Sequence, residues 1–537
     1  MKRIMVFIAK SSLIVSFLFP AMTIVAPVYA QMQHFTTSGE QLTPHVPERS
    51  RHAGSGGTWG GGVLVIPANT SYMYDLSDGH YDTINIYGNF SFDPSKNTKL
   101  TVNTINVYPG ATFTITTKKP YTTEIIFSGK VDVNNDPMQM GLGLVAYGGT
   151  VNIEGSPVVN AFGKVNLKKG ARSMGLAPWS ANADFTGDEL MFSDTQEGLD
   201  ASFWAYSHPD PKFRQAMSQG WDLVTVTDVK NGVIYFDKPL AFDHDSYVAD
   251  ITRNIIFRSD VSNPDNDRGH VMMVDNTKVS IKNAEFKDLG RTDAMVPIST
   301  TTNPLGRYAL HMHHLTQPFV LEGNVVTGTP YEKDINGTIE RAIAGSPKWG
   351  IVNHGSNGII KGNIVVGAAG SGIVGEDGTE KGTVEGNLVI GTGRGTGGGD
   401  DGRFVSGKGL DLGYGGFGYW FKGPYLKIDG NIAAGYFKEG GYGFFFHPEY
   451  AVDPYVNAHG LASFDGNIAD GIFGDAGLIM FYSSAAHTVS DFTSINRNVN
   501  GNGLDIEYTK KLTLLNSTLT GAGTKIHKNK ETGEIVI

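Results

Sequence analysis

A token of glycine, asparagine and an aliphatic residue recurs through the second half of the chain and constrains its fold more than any other feature. It reads Gly323-Asn324-Val325-Val326, Gly362-Asn363-Ile364-Val365, Gly386-Asn387-Leu388-Val389, Gly430-Asn431-Ile432-Ala433 and Gly466-Asn467-Ile468-Ala469, with weaker copies at Lys282-Asn283-Ala284 and Arg497-Asn498-Val499. Successive asparagines are 41, 39, 24, 44, 36 and 31 residues apart. One coil of a stacked parallel β-helix takes roughly 20–25 residues, so 24 fits a bare coil and the longer spacings a coil with a loop, or two coils. Asparagine beside glycine suits a tight turn whose side-chain amide bonds the same group one coil away.

Composition agrees with this reading. Glycine supplies 70 of 537 residues, about twice the usual share, without a Gly-X-Y period; with 40% apolar residues this excludes collagen and a disordered chain. Only 18% of residues are charged, which disfavours coiled coils and long surface helices. Upstream, alternating runs such as Val63-Leu64-Val65-Ile66, Thr83-Ile84-Asn85-Ile86 and Thr112-Phe113-Thr114-Ile115 are bounded by Gly, Pro and Asn, the pattern of short strands. Residues 171–250 are less regular, with a short helix expected around Pro211 to Gln219. The expected fold is all-β: a right-handed parallel β-helix, a pectate-lyase-like solenoid, over 251–520. A β-rich body at 58–170 precedes it, followed by a connecting region at 171–250. A linker at 31–57 and a tail at 521–537 complete the division.

Residues 1–30 read as an export signal: Lys2, Arg3 and Lys10 lead, Ser11 to Ala26 is mostly apolar, and Val28-Tyr29-Ala30 is a small-residue cleavage site, with the cut after Ala30. Lys10 and Pro20 interrupt the apolar run, which falls short of the roughly 20 residues of a membrane span. Cleavage changes the balance from 43 basic and 53 acidic residues to 40 and 53, a poor match to nucleic acid. No cysteine is present, so disulfides, thiolate catalysis and cysteine-ligated zinc are excluded for a secreted or periplasmic chain.

The histidines carry the chemistry. His311 and His313, two apart, share one face of a strand, and His314 points to the other. Counted back from the next repeat asparagine, His270 lies at 13, His311 at 13, His313 at 11, His354 at 9 and Glu376 at 11, all odd. If the coils keep register, these side chains line one face in rungs about 4.8 Å apart. The imidazoles of His270, His311, His313 and His354 and the Glu376 carboxylate, so spaced, suit a divalent metal (calcium, zinc or manganese) or a general acid beside a general base, with Asp377 and Glu380 as further candidates. Arg268, Arg291 and Arg307 form a basic strip suited to an acidic sugar. Tyr308, Tyr419 and Trp420 are candidate sugar contacts. The glycine-rich stretch Gly391 to Gly402 contains a formal G-x-G-x-x-G but lacks the preceding strand and following helix of a nucleotide site, and Asn263 to Gly269 lacks the glutamate that closes a calcium loop. No organic cofactor is indicated.

These motifs, in order, resemble a known family. The stretch from Thr58-Trp59 to about Gly170 resembles the eight-glycine (G-eight) domain. Arg268-Gly269-His270, Gly306-Arg307-Tyr308 with His311 and His313, His354-Gly355, Glu376-Asp377-Gly378-Thr379-Glu380 and Gly418-Tyr419-Trp420 are similar to the β-helix that follows it in the family of the cell-migration-inducing hyaluronan-binding protein and cell-surface hyaluronidase. Alanine stands at 309 where that pattern has proline. The resemblance implies a secreted protein that binds or depolymerises hyaluronan-like acidic polysaccharides, calcium-linked in some members. Three readings stay open from the residues: hydrolase, lyase, or a non-catalytic glycan-binding or adhesive surface protein.

Overall fold

Alternation of period two builds the body of this computed structural model. It describes residues 61–537 apart from 159, 177–184, 194–219, 264–265, 294–298, 336–337, 344, 393–415, 436–440, 449–457, 472–475, 498–500, 522–523 and 529–531. The export signal, the linker, the helix at Pro211 to Gln219, the last repeat copy at Asn498 and most of Gly391 to Gly402 lie outside the described residues. In Lys278–Lys282, Val279 and Ile281 are buried while Lys278, Ser280 and Lys282 face out. In Leu310–His313, Leu310 and Met312 join the core and the histidines between them point away from it.

Strands pair in parallel from coil to coil and form three ladders. One is a 13-stranded sheet from Ser71–Tyr74 to Glu534–Val536. The other two belong to a 23-stranded sheet that forks at one strand. Thr98–Val107 pairs through its first half with Thr123–Phe127 and through its second half with Gly143–Ala146. From the fork, one ladder continues through Ile255–Ser259 and Glu285–Lys287 to Thr518–Gly521. The second continues through His270–Val274, Leu310–His313, Ile351–His354, Ile373–Gly375 and Tyr419–Phe421 to Thr524–Lys528. Inward residues such as Ile84, Phe113, Phe257, Phe286, Met312 and Phe444 fill the interior. The architecture is an all-β parallel β-helix, and no helix among the described residues is long and apolar enough to cross a membrane.

The sheets cross the expected border between 58–170 and 251–520. Thr123–Phe127 pairs with Ile255–Ser259, Gly143–Ala146 with His270–Val274, and Thr150–Glu154 with Lys278–Lys282. The N-terminal strands are thus the first coils of the solenoid. Residues 162–250 interrupt it with a six-stranded antiparallel sheet whose own core includes Phe192, Val224, Ile234 and Val248. That sheet shares a buried apolar cluster with outward residues of the first ladder, Trp221 and Tyr247 on one side and Val325, Ile364 and Leu388 on the other.

The repeat asparagines form a buried ladder. The side-chain amide of Asn324 donates to Asn363 Oδ1 (3.0 Å), Asn363 to Asn387 (3.0 Å), Asn387 to Asn431 (2.9 Å) and Asn431 to Asn467 (3.1 Å). Each also bonds backbone of a neighbouring turn, so one side chain satisfies groups that the turn leaves over. Lys282-Asn283-Ala284 is displaced by one residue. Asn283, at φ +53°, takes the place of the glycine, and Ala284 that of the ladder asparagine, its N–H donating to Asn324 Oδ1.

Asp250, the last residue of the antiparallel strand His244–Asp250, is buried, as are Arg253 and Glu285. Burial lifts Asp250 to about 6 and Glu285 to about 7, against the opposing pull of Arg253. A carboxyl raised by folding adds stability that is fully present below its unfolded pKa and is lost as pH rises through the folded value. Glu285→Gln is therefore expected to shrink the loss of stability between about pH 4.5 and about pH 7. Denaturant midpoints across that range test this, and an unchanged slope would refute it.

Candidate functional site

The second ladder presents two outward rows. His311 pairs with Val352, which pairs with Val374, then Trp420, Phe445 and Ile479, giving an apolar row. One step along, His313 pairs with His354. Glu376 follows directly, its N–H donating to Asn353 O (3.0 Å), and Lys422 next, its N–H donating to Gly375 O (3.1 Å). The odd-offset register thus brings His313, His354 and Glu376 into one polar row, with His311 beside it.

The side chains converge. His313 Nδ1 lies 3.1 Å from His354 Nδ1, which lies 3.2 Å from Glu376 Oε2. His354 Nε2 reaches Asp377 Oδ1 at 2.8 Å. The His311 ring stacks 5.7 Å from that of His354 and meets that of His313 edge-on at 5.1 Å, and one ring nitrogen of each of the three lies within 4.8 Å of the others. His311 Nδ1 donates to Gly306 O (2.9 Å), which leaves a lone pair on Nε2; that atom is buried without a protein partner.

Charge is arranged unevenly. Burial pushes His311 well down, and burial with the adjacent His354 takes His313 to about 3. Burial also works against a charged His354, yet Glu376 and the hydrogen-bonded Asp377 together raise it to about 9. Burial opposes ionisation of Asp377 as well, but the bond from His354 holds it below the usual carboxylate range. Without a metal, one imidazolium is clasped by two carboxylates beside two neutral imidazoles.

Two residues join the site that the strand pattern did not indicate. His314 has φ +48°, a left-handed turn that swings its ring back to 4.5 Å from His354 and 4.6 Å from His313 instead of to the opposite face. Lys422 is found only by following the register one rung beyond Glu376. Its charge helps to hold Asp377 ionised.

The other candidates stand elsewhere. Glu380, fully buried, accepts N–H bonds from Gly355 (3.1 Å), Asp377 (2.6 Å) and Gly378 (2.8 Å), so it fixes the turn carrying Asp377 instead of facing a ligand. Glu380→Gln would set an amide NH₂ against those donors. A tenfold or greater loss of activity or metal affinity is expected with the fold retained; wild-type values for both would show that the clamp is dispensable. His270 is buried one coil back, its Nδ1 3.0 Å from Leu142 O and 2.9 Å from Arg291, and is not in the imidazole group. Arg291 donates to Leu142 O (3.1 Å) and Gly141 O (2.8 Å), Arg307 to Gln139 O (3.0 Å) and Leu305 O (2.8 Å), and Arg268 to Gly345 O (2.7 Å). The expected basic strip instead staples carbonyls of the turn 138–142 and its surroundings. Tyr308 is buried between His311 and Trp349. Tyr419 is in the core with its hydroxyl donating to Asn387 O (2.8 Å), and Trp420 is in the apolar row, so neither offers a ring to a sugar.

His311, His313 and His354 fit a divalent metal, and Glu376 stands at the edge of this group, against His354 Nδ1 alone. Donor separations of 3.1 and 3.2 Å are close to the edge of about 3.3 Å that tetrahedral Zn–N bonds require. His311 and His354 each direct their second nitrogen to a carbonyl or carboxylate, as metal-bound imidazoles do. Nitrogen donors favour zinc, manganese or iron over calcium.

Residues 58–166 match the model of the G8 domain. The chain carries a G8 domain. Its strands are those that open the solenoid and form the fork. A search of curated proteins returned no match. Among proteins of solved structure, the tailspike of Acinetobacter baumannii bacteriophage AP22, determined with a capsular saccharide, is 10% identical over 83% of this chain and 72% of that one, with a TM-score of 0.25. The mannuronan C-5 epimerase A-module of Azotobacter vinelandii is 9% identical over 88% and 91%, with a TM-score of 0.29. A surface protein and adhesin of Streptococcus pneumoniae is 9% identical over 87% and 91%, also at 0.29.

Proposed function

We propose that this G8 protein is an exported depolymerase of an acidic polysaccharide, with His311, His313 and His354 holding a divalent transition metal and Glu376 as the carboxylate beside it. The observation that carries this is the convergence of three imidazoles from two coils with the His311 Nε2 lone pair unclaimed. The acidic, hyaluronan-like substrate class comes from the family resemblance, and export from residues 1–30, with cleavage after Ala30. A metal so held would polarise a sugar or water oxygen. The chain's own residues do the rest. Asp377 accepts from His354 Nε2 and fixes its ring; Glu380 fixes Asp377; the apolar row keeps water from one flank. Lys422 places a positive charge beside the carboxylates, where an acidic sugar would dock.

The purified protein, metal-loaded or chelated, is incubated with hyaluronan, chondroitin, alginate and pectin while reducing ends and unsaturated-uronate absorbance are followed. Metal-dependent cleavage of at least one is expected. Reducing ends alone select hydrolysis, and both signals together select β-elimination. Binding without cleavage, in a protein free of metal by elemental analysis, would leave the adhesive reading in its place.

A further inference from the structure

The polar row has a second set of ligands on its outer side. We propose that His314, Asp377 and the Nε2 edge of His354 form a second divalent-cation position, so that His354, its Nε2 proton released to solvent and its hydrogen bond to Asp377 replaced by the outer ion, bridges an inner and an outer metal as an imidazolate. This rests on the reading that the inner imidazoles hold a metal.

The three residues offer donor atoms within 4.8 Å of one another, and His314 is half exposed while Asp377 is buried. Asp377 divides its oxygens: Oδ1 lies 2.8 Å from His354 Nε2 and Oδ2 3.7 Å from His314 Nε2. His354 Nδ1 faces the opposite way, toward His313 and Glu376.

Gly355 is the second, independent observation. It occupies a turn position with φ +62°, following His354 in its strand. At the corresponding position of other coils of this ladder stand Asp275, His314, Tyr482 and Tyr508, with φ between +48° and +56°. The left-handed backbone is therefore not what demands glycine at 355. A Cβ there would collide with the His314 ring and stand 2.8 Å from Asp377 Oδ2. The missing side chain keeps open the space between the two ligands.

Two imidazoles and one carboxylate with open positions suit iron(II), manganese or zinc. Ions on opposite nitrogens of one imidazole stand farther apart than the roughly 3.5–4 Å of a two-metal clamp. The outer ion would not share a nucleophile with the inner one; its open side would take an anionic oxygen of the glycan.

The full chain is stripped, reloaded with zinc or copper(II), and its bound metal counted by elemental analysis, with circular dichroism to confirm folding. About two equivalents are expected in wild type and about one in His314→Ala, with the copper-loaded wild type showing spin coupling across the imidazole that His314→Ala lacks. Gly355→Ala, if folded, should repeat the His314→Ala result. One equivalent in both wild type and His314→Ala overturns the outer position and leaves the inner one standing, with Asp377 simply orienting His354. Two equivalents retained in His314→Ala also overturn it. If His311→Ala keeps all the metal while His314→Ala loses it, the inner reading fails and the outer one survives.

Discussion

Replacing His354 by alanine is expected to abolish glycan cleavage, by 10²-fold or more, while the solenoid stays folded. His354 contacts both carboxylates and lies against three other imidazoles, so its removal takes away the side chain that links them. Metal retention should fall with activity. A pH signature separates this from loss of a mere contact. In metal-free wild type, His354 is raised to about 9 by its carboxylates, so it adds stability that is present below the unfolded value near 6.5 and is lost as pH rises through about 9. The alanine variant should lack that alkaline decline, and Asp377, without the bond and charge of His354 that hold it down, should take up a proton more readily. Full activity in a folded His354→Ala protein would remove the site.

Asn387→Ala is expected to carry a large stability penalty. Its amide donates to Ile360 O (2.9 Å) and Asn431 Oδ1 (2.9 Å), and its Oδ1 accepts from Asn363 N (2.8 Å) and Asn363 Nδ2 (3.0 Å). Alanine strands these fully buried partners, at about 1–3 kcal/mol for each unsatisfied group, so a loss of about 4 kcal/mol or more is expected. Coil-to-coil coupling is how a solenoid holds together, so the denaturation slope should change as well. Asn283→Ala, outside the ladder, serves as the control with a much smaller effect. A loss below about 1 kcal/mol at Asn387, the worth of one ordinary hydrogen bond, would show the ladder to be ornamental.

The coil pitch and the outward face were legible because a strand's period of two survives any loop that leaves the strand itself intact. His313, His354 and Glu376 therefore fell into one row despite unequal spacings. His314 escaped because parity presumes extended backbone, and its φ of +48° is not written in local composition. The first repeat copy misled by one residue because asparagine, like glycine, tolerates the left-handed turn. Arg291 and Arg307 looked like ligand contacts because their partners, carbonyls about 150 residues upstream, carry no side-chain signature. Tyr419 and Trp420 lie on opposite faces of one strand, as consecutive residues must, but here the outer face is covered too. Residues 171–250 read as a border because an inserted antiparallel sheet breaks the rhythm of a solenoid that continues behind it.

The forked strand Thr98–Val107 has a consequence for how this protein can be taken apart. Both ladders descend from it, and the two strands it pairs with, Thr123–Phe127 and Gly143–Ala146, find their next partners only beyond residue 254. Cutting the chain after the G8 match would bare the edges of Thr123–Phe127, Gly143–Ala146 and Thr150–Glu154 at once, three templates for pairing with a stranger. The stretch that matches the G8 model is thus not closed on itself, three of its strands being paired with residues beyond 254. It can travel between proteins only with a coil ready to receive all three strands.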